Sequence, residues 1–205
     1  MTENVHTKID RLVHRDRAVQ KALQKEVILG KDKYYLMEIT IDKVKSVIEH
    51  FEEENVKHPI SLLQLIKVRE YDSEDPADNE LFTTLFNLVL MTSPDPYRPL
   101  TVSDANKYFK EGTFLAFLYG QCVGYGVLTI ENTEIGKIGV IAGIGVHPKH
   151  RRKKIALKIA LEMGKWFLQR SDLIALQCEV YHENITSQKF ISSFGFRIVG
   201  EIFLD

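Results

Sequence analysis

Along residues 138–204 the apolar positions alternate between the short period of strands and the longer period of helices. Residues 138–146 read as a strand whose small Gly143 and Gly145 permit close approach of a ligand backbone. An amphipathic helix follows over 155–168, then a strand over 173–181, a helix over 185–194 and a last strand over 196–204. Upstream, 62–68 reads as a strand and 72–78 as an acidic loop. A helix over 80–91 places Leu81, Leu85, Leu88 and Val89 on one face. Ser93-Pro-Asp-Pro-Tyr-Arg-Pro99 is a rigid loop, and 103–109 a short helix capped by Ser103. Strands 113–118 and 123–130 join as a β-hairpin through a turn at Gly120-Gln121. A hairpin feeding a strand–helix–strand crossover implies a central mixed sheet flanked by helices, an α+β (mixed α/β) class.

The first sixty residues differ in pattern. Ile9, Leu12, Val13, Val19, Leu23, Val27 and Ile28 recur at helical spacing across 7–29, and Gly30-Lys-Asp-Lys ends that run. A short strand over 34–40 and a helix carrying Val44, Val47, Ile48 and Phe51 follow, the helix opened by Thr40 or Asp42. His58-Pro59 closes the unit, so the chain divides into a helix-rich extension (1–60) and a main domain (61–205). Arg11, Arg15, Arg17, Lys21 and Lys25 in the extension are diluted by Asp10, Asp16 and Glu26, which favours a packing or dimer role over nucleic-acid binding.

Composition narrows the class. With 205 residues and 44% hydrophobic content, the chain can bury a full core. A net charge of −1 gives no global field toward nucleic acid or membrane, so a basic surface has to be local. No apolar stretch reaches the ~18 residues of a membrane span, and the N-terminus has no signal core. Cys122 and Cys178 sit in apolar, strand-like segments and read as buried thiols of a reducing compartment, so the cytoplasm is expected. No His/Cys/Asp cluster calls for a metal.

The local basic surface lies at Lys149-His-Arg151-Arg152-Lys153-Lys154, between a strand and a helix start. A helix N-terminus leaves about four amides unpaired and carries roughly half a positive charge, which favours phosphate. The plain alternative is a solvated basic loop. Val146-His147-Pro148, Arg151 and Ala156 resemble the signature Q/R-x-x-G-x-G/A of the GNAT superfamily of acetyl-CoA-dependent N-acetyltransferases, with its V-x-P lead-in. Arg152 and Lys154 stand where that family has glycine. The resemblance covers residues 61–205 and implies the GNAT fold. It further implies acetyl-CoA as co-substrate, held by strand backbone at Ile144, Gly145 and Val146 and by the loop Arg151, Arg152, Lys153, Lys154, Ile155 and Ala156.

A second motif, Glu179-Val-Tyr-His-Glu-Asn184-x-x-Ser187-x-x-Phe190, followed by Gly195-Phe196, resembles the GNAT branch that acetylates protein N-termini. The resemblance assigns Asn184 and Ser187 to the cofactor arm, although an N-cap explains Asn184 equally well. It makes Glu179 the first candidate for general base, with Tyr181 in reserve on the same strand face. An exposed strand carboxylate in an ion pair is the plain reading of Glu179. Ile191 occupies the position of the family's tyrosine acid, and Val140 that of an earlier glutamate, for which Glu131 or Glu134 could stand in. The function implied is acetyl transfer from acetyl-CoA to a primary amine by direct attack, without a metal. The alternative is a catalytically weak acyl-CoA-binding regulatory or interaction protein on the same scaffold. The last strand needs a cover for its edge, either the N-terminal unit or a second subunit in a homodimer.

Overall fold

A computed structural model describes residues 32–57, 61–96, 99–170 and 172–204. In chain order the elements are β1 (Asp32–Thr40), α1 (Ile41–Lys57), α2 (Ser61–Leu65), β2 (Ile66–Glu70), α3 (Pro76–Leu90), α4 (Val102–Tyr108), β3 (Thr113–Leu118), β4 (Gln121–Thr133) and β5 (Gly136–Val146). A 3-10 turn (Pro148–His150), α5 (Ile155–Leu168), β6 (Leu173–Tyr181), α6 (Ile185–Ser193) and β7 (Arg197–Leu204) complete them. The helix expected over 7–29 lies outside the described residues.

One seven-stranded sheet runs in the order β2-β3-β4-β5-β6-β1-β7. Every pair is antiparallel except β5–β6, which is parallel because α5 carries the chain back across the sheet. β1 sits between β6 and β7, pairing Tyr34 with Tyr181 on one side and with Ile202 on the other. It thereby covers one edge of the last strand. Residues 32–57 share the sheet and core of the residues that follow 60: Met37, Ile39, Val44 and Ile48 belong to the main cluster.

That cluster fills one face. α5 turns Ile155, Ile159, Met163 and Phe167 inward at helical spacing, and α1 packs on it through Val44 and Ile48. The helices approach closely at Gly164, where a Cβ would stand 2.7 Å from Ile48 Cδ1. α6 adds Ile191, with Phe190 and Phe194 beside it. On the opposite face α3 and α4 bury Phe82, Phe86 and Phe109 against Leu115, Tyr125 and Val127.

Several boundaries differ from expectation. The segment read as a strand over 62–68 is helix α2 followed by β2, because pairing with β3 begins only at Ile66–Leu118, where the hairpin turn starts. That turn is Tyr119-Gly120, both with positive φ, as a two-residue hairpin requires, and not Gly120-Gln121. α3 starts at Pro76, capped by Asp75, whose side chain accepts from Ala77 N at 2.9 Å. α4 is capped by Thr101, in a capping box with Asp104, and not by Ser103.

Candidate active site

The parallel ladder of β5 and β6 ends at Ile141–Cys178. β5 continues to Val146 along β4, pairing Ile144 with Gly126, Gly145 with Tyr125 and Val146 with Gly124. Its other edge, from Ala142 onward, parts from β6. The cause is local: the β4–β5 register skips Ala142, and such a bulge bends the strand that carries it. Ile144, Gly145 and Val146 thus lie on the open edge of a split sheet. Gly145 serves a different purpose from ligand approach on one side, since a Cβ there would meet the Tyr125 ring at 2.2 Å.

The basic loop sits at the open end of β5. His147 caps the 3-10 turn, its Nδ1 accepting from Lys149 N at 3.1 Å. Partial burial, then the charges of Lys153, His147 and Lys149, hold His150 below its ordinary pKa. Arg152, Lys153 and Lys154 are exposed, and Ile155 is buried, so only its backbone faces the loop. Ala156 is half-buried one residue on. Arg152 and Lys154 adopt φ of 65° and 61°, the left-handed conformation for which glycine is suited. The chain therefore builds a glycine-type turn with two cations. Lys154 carries no acceptor with which to cap α5, and among the described residues no side-chain cap covers this helix start, which leaves its first-turn amides for an anion. Amides, cations and an open strand edge fit a ligand with a diphosphate head and an amide-containing arm.

Arg151 is turned to structure: its Nε donates to Val146 O at 3.3 Å and its Nη2 to Thr92 Oγ1 at 2.6 Å. Asn184 caps α6, accepting from Ser187 N at 3.1 Å, and its Nδ2 donates to Asp95 Oδ2 at 2.5 Å. Ser93 also hydrogen-bonds Asp95. Thr92, Ser93 and Asp95 thus join the basic loop to the start of α6, a role the sequence marked only as a rigid Pro-rich loop.

Cys178 and Val180 point into the main core, so Gln177, Glu179 and Tyr181 turn to the opposite face. Glu179 is half-buried opposite Leu36 of β1. The ring of Tyr181 packs on Tyr34 and His182, with centroids 5.4 and 4.8 Å away. Gln177 Nε2 donates to Glu38 Oε2 at 2.7 Å, bringing a β1 carboxylate to this face that sequence reasoning missed. Only the pairing of β1 with β6 reveals it. Val140 and Ile191 are buried, Glu131 is buried on β4, and Glu134 is exposed at the hairpin end. Burial pushes the Cys122 thiol up to about 11 and raises that of Cys178, so neither is poised as a nucleophile. Among the described residues no group of three His, Cys, Asp or Glu is placed to hold a metal ion.

The model of the acetyltransferase (GNAT) family matches residues 82–196. No curated protein sequence matches the chain. Among solved structures, Arabidopsis thaliana Naa50, in complex with the bisubstrate analogue CoA-Ac-MVNAL, is similar at TM-score 0.51 and 22% identity, over 66% of this chain and 85% of that one. The aminoglycoside N-acetyltransferase AAC(6')-Iy, in complex with CoA, gives 0.55 at 17%, over 68% and 93%. A GCN5-related N-acetyltransferase from Sphaerobacter thermophilus gives 0.58 at 15%, over 93% of this chain and 56% of its longer chain. At these identities the likeness is one of fold.

Proposed function

This chain belongs to the acetyltransferase (GNAT) family, and from that premise we propose that it moves an acetyl group from acetyl-CoA to a primary amine of a peptide or small molecule by direct attack in a ternary complex. The observation that carries this reading is the split after Ile141–Cys178, with the basic loop at one end and Glu179 on the strand across the gap. When bound, acetyl-CoA supplies the thioester-activated acetyl group.

The chain's own residues divide the work. Backbone groups of Ile144, Gly145 and Val146 hydrogen-bond the amide-containing arm. The amides opening α5 at Ile155 and Ala156, with Arg152, Lys153 and Lys154, hold the phosphates. Arg151 holds the loop in place through Val146 and Thr92. Asn184 and Ser187 line the start of α6 beside the arm. Glu179, directly or through a water, takes the proton of the attacking amine, and Tyr181 shares its face. Burial that raises both thiols above their ordinary pKa supports direct attack over a cysteine-bound intermediate. The Naa50 complex holds a CoA–peptide analogue, which supports a peptide amine as the first acceptor to test.

Calorimetric titration with acetyl-CoA tests the cofactor site. Micromolar binding that weakens at least tenfold in Arg152→Glu/Lys154→Glu is expected; equal binding in both proteins would remove the loop from the site. Glu179→Gln should then lower kcat about a hundredfold on a peptide panel while acetyl-CoA affinity holds. A second reading, acyl-CoA binding with little turnover, draws on the apolar burial of Ile191 and Val140. Binding without acetylation of any amine in the panel selects it.

A further inference from the structure

Beside the split lies an apolar pocket, with about 40 Å³ of open space, that the acetyl group of the proposed donor does not need. Its floor is Ile141, the last residue paired with β6, together with Ile144 on the opened edge. Ala160 of α5 and Ile191 of α6 form two walls, and Val44 and Ile48 of α1 close the third. Every lining residue is apolar or glycine. The α1 wall exists because β1 enters the sheet between β6 and β7 and delivers its following helix onto this face.

Resting on the cofactor reading above, we propose that the pocket takes the tail of an acyl group longer than acetyl, so that the preferred donor is a short-chain acyl-CoA of about four carbons. The pocket begins at the apex of the split, where the acyl end of an arm laid along β5 from the basic loop arrives. About 10–15 Å³ of such space holds one water-sized group, so this pocket takes on the order of three, a short run of methylenes. A carboxylated or hydroxylated tail finds no partner in the lining and is excluded by the cost of an unpaired buried polar group. Ile191 contributes here: an isoleucine adds methyl groups to the wall where a tyrosine hydroxyl would make it polar. The transfer balances as for acetyl, with the acyl carbon–sulfur bond breaking as the acyl carbon–nitrogen bond forms and the amine proton leaving to base.

The experiment is calorimetric titration of the full chain with acetyl-, butyryl-, succinyl- and octanoyl-CoA, repeated on Ala160→Leu, which fills the pocket from α5. Each buried methylene tightens binding about fourfold, so butyryl-CoA, with two more, should bind roughly fifteenfold more tightly than acetyl-CoA. Succinyl- and octanoyl-CoA should gain nothing over acetyl-CoA. In Ala160→Leu the butyryl advantage should vanish while acetyl-CoA affinity stays within twofold. Acetyl-CoA binding that equals or exceeds butyryl-CoA overturns the pocket assignment and leaves the cofactor reading standing. A butyryl advantage that survives Ala160→Leu overturns it too. If no acyl-CoA binds, the cofactor reading itself fails and the inference with it.

Discussion

Arg152 and Lys154 flank Lys153 with the same left-handed backbone, φ 65° and 61°, and both side chains are exposed. A non-glycine residue in that conformation costs roughly 1–2 kcal/mol, part of which glycine returns as chain entropy. Lys154→Gly should therefore raise unfolding free energy by about 0.5–1 kcal/mol in urea. Lys154→Ala, which keeps the strain, should not. Equal stabilities for the two variants would show that the loop conformation costs nothing here.

Asp78 is almost fully buried, and Arg69 grips it with Nη1–Oδ2 at 2.6 Å and Nη2–Oδ1 at 2.5 Å, while Asp72 N donates at 2.9 Å. Removing the two partners should have unequal effects. Arg69→Met leaves a buried charge without its counterion and should cost about 3 kcal/mol. Asp78→Asn leaves an arginine that is 49% exposed and can hydrate, so about 1 kcal/mol is expected. Denaturant curves of both variants check the order, and the reverse order would mean that hydration of Arg69 is blocked.

The same pair sets an acid response. The Arg69 hydrogen bonds, then the Asp72 amide, hold the Asp78 carboxyl below its ordinary value of 3.8 against the opposing effect of burial. The unfolded chain thus binds this proton more readily than the folded one. The stabilisation is complete above pH 3.8 and fades as pH falls toward the lower folded value. Stability measured from pH 6 to 3 should drop less steeply near the acid end in Asp78→Asn than in the wild type. Parallel curves would assign acid lability to other carboxylates.

Gly143 and Gly145 should part company under substitution. A Cβ at Gly143 meets Tyr125 at 3.8 Å, an ordinary contact, whereas at Gly145 it falls 2.2 Å from the same ring. Gly145→Ala should cost about 1–3 kcal/mol through overpacking, and Gly143→Ala under about 1 kcal/mol. Melting curves decide, and a silent Gly145→Ala would mean the Tyr125 ring can swing aside.

Deleting residues 1–58 removes β1 and α1 together. β6 and β7 then lose their common partner, and the apolar surface around Ile159, Met163 and Ile191 is uncovered. The truncated chain should aggregate in size-exclusion chromatography. A monomer with an unchanged melting temperature would contradict the central placement of β1.

Much of this was legible one residue at a time. α5 and β6 begin and end where periodicity puts them, because a helix with Ile155, Ile159 and Met163 on one stripe and a strand of apolar alternation state their own geometry. The basic run and Asn184 were visible too. What one segment cannot show is its partner. Asn184 read equally as a cap and as a ligand contact; it is the cap of α6, and its free amide reaches Asp95 from a distant loop. Glu38 joined the face of Glu179 only through strand pairing.

The sequence by itself determined the kind and order of the elements from residue 113 onward, though it set the hairpin turn one residue late, and the local chemistry of the loop after β5, since periodicity and charge act over a few neighbouring positions. Tertiary structure alone decided that β1 enters the sheet between β6 and β7, that β5 and β6 part after Ile141–Cys178, and that α1 walls an apolar pocket beside the split. Those features depend on which edges meet across the fold, and hydrogen-bond pairing between distant strands leaves no period in either one.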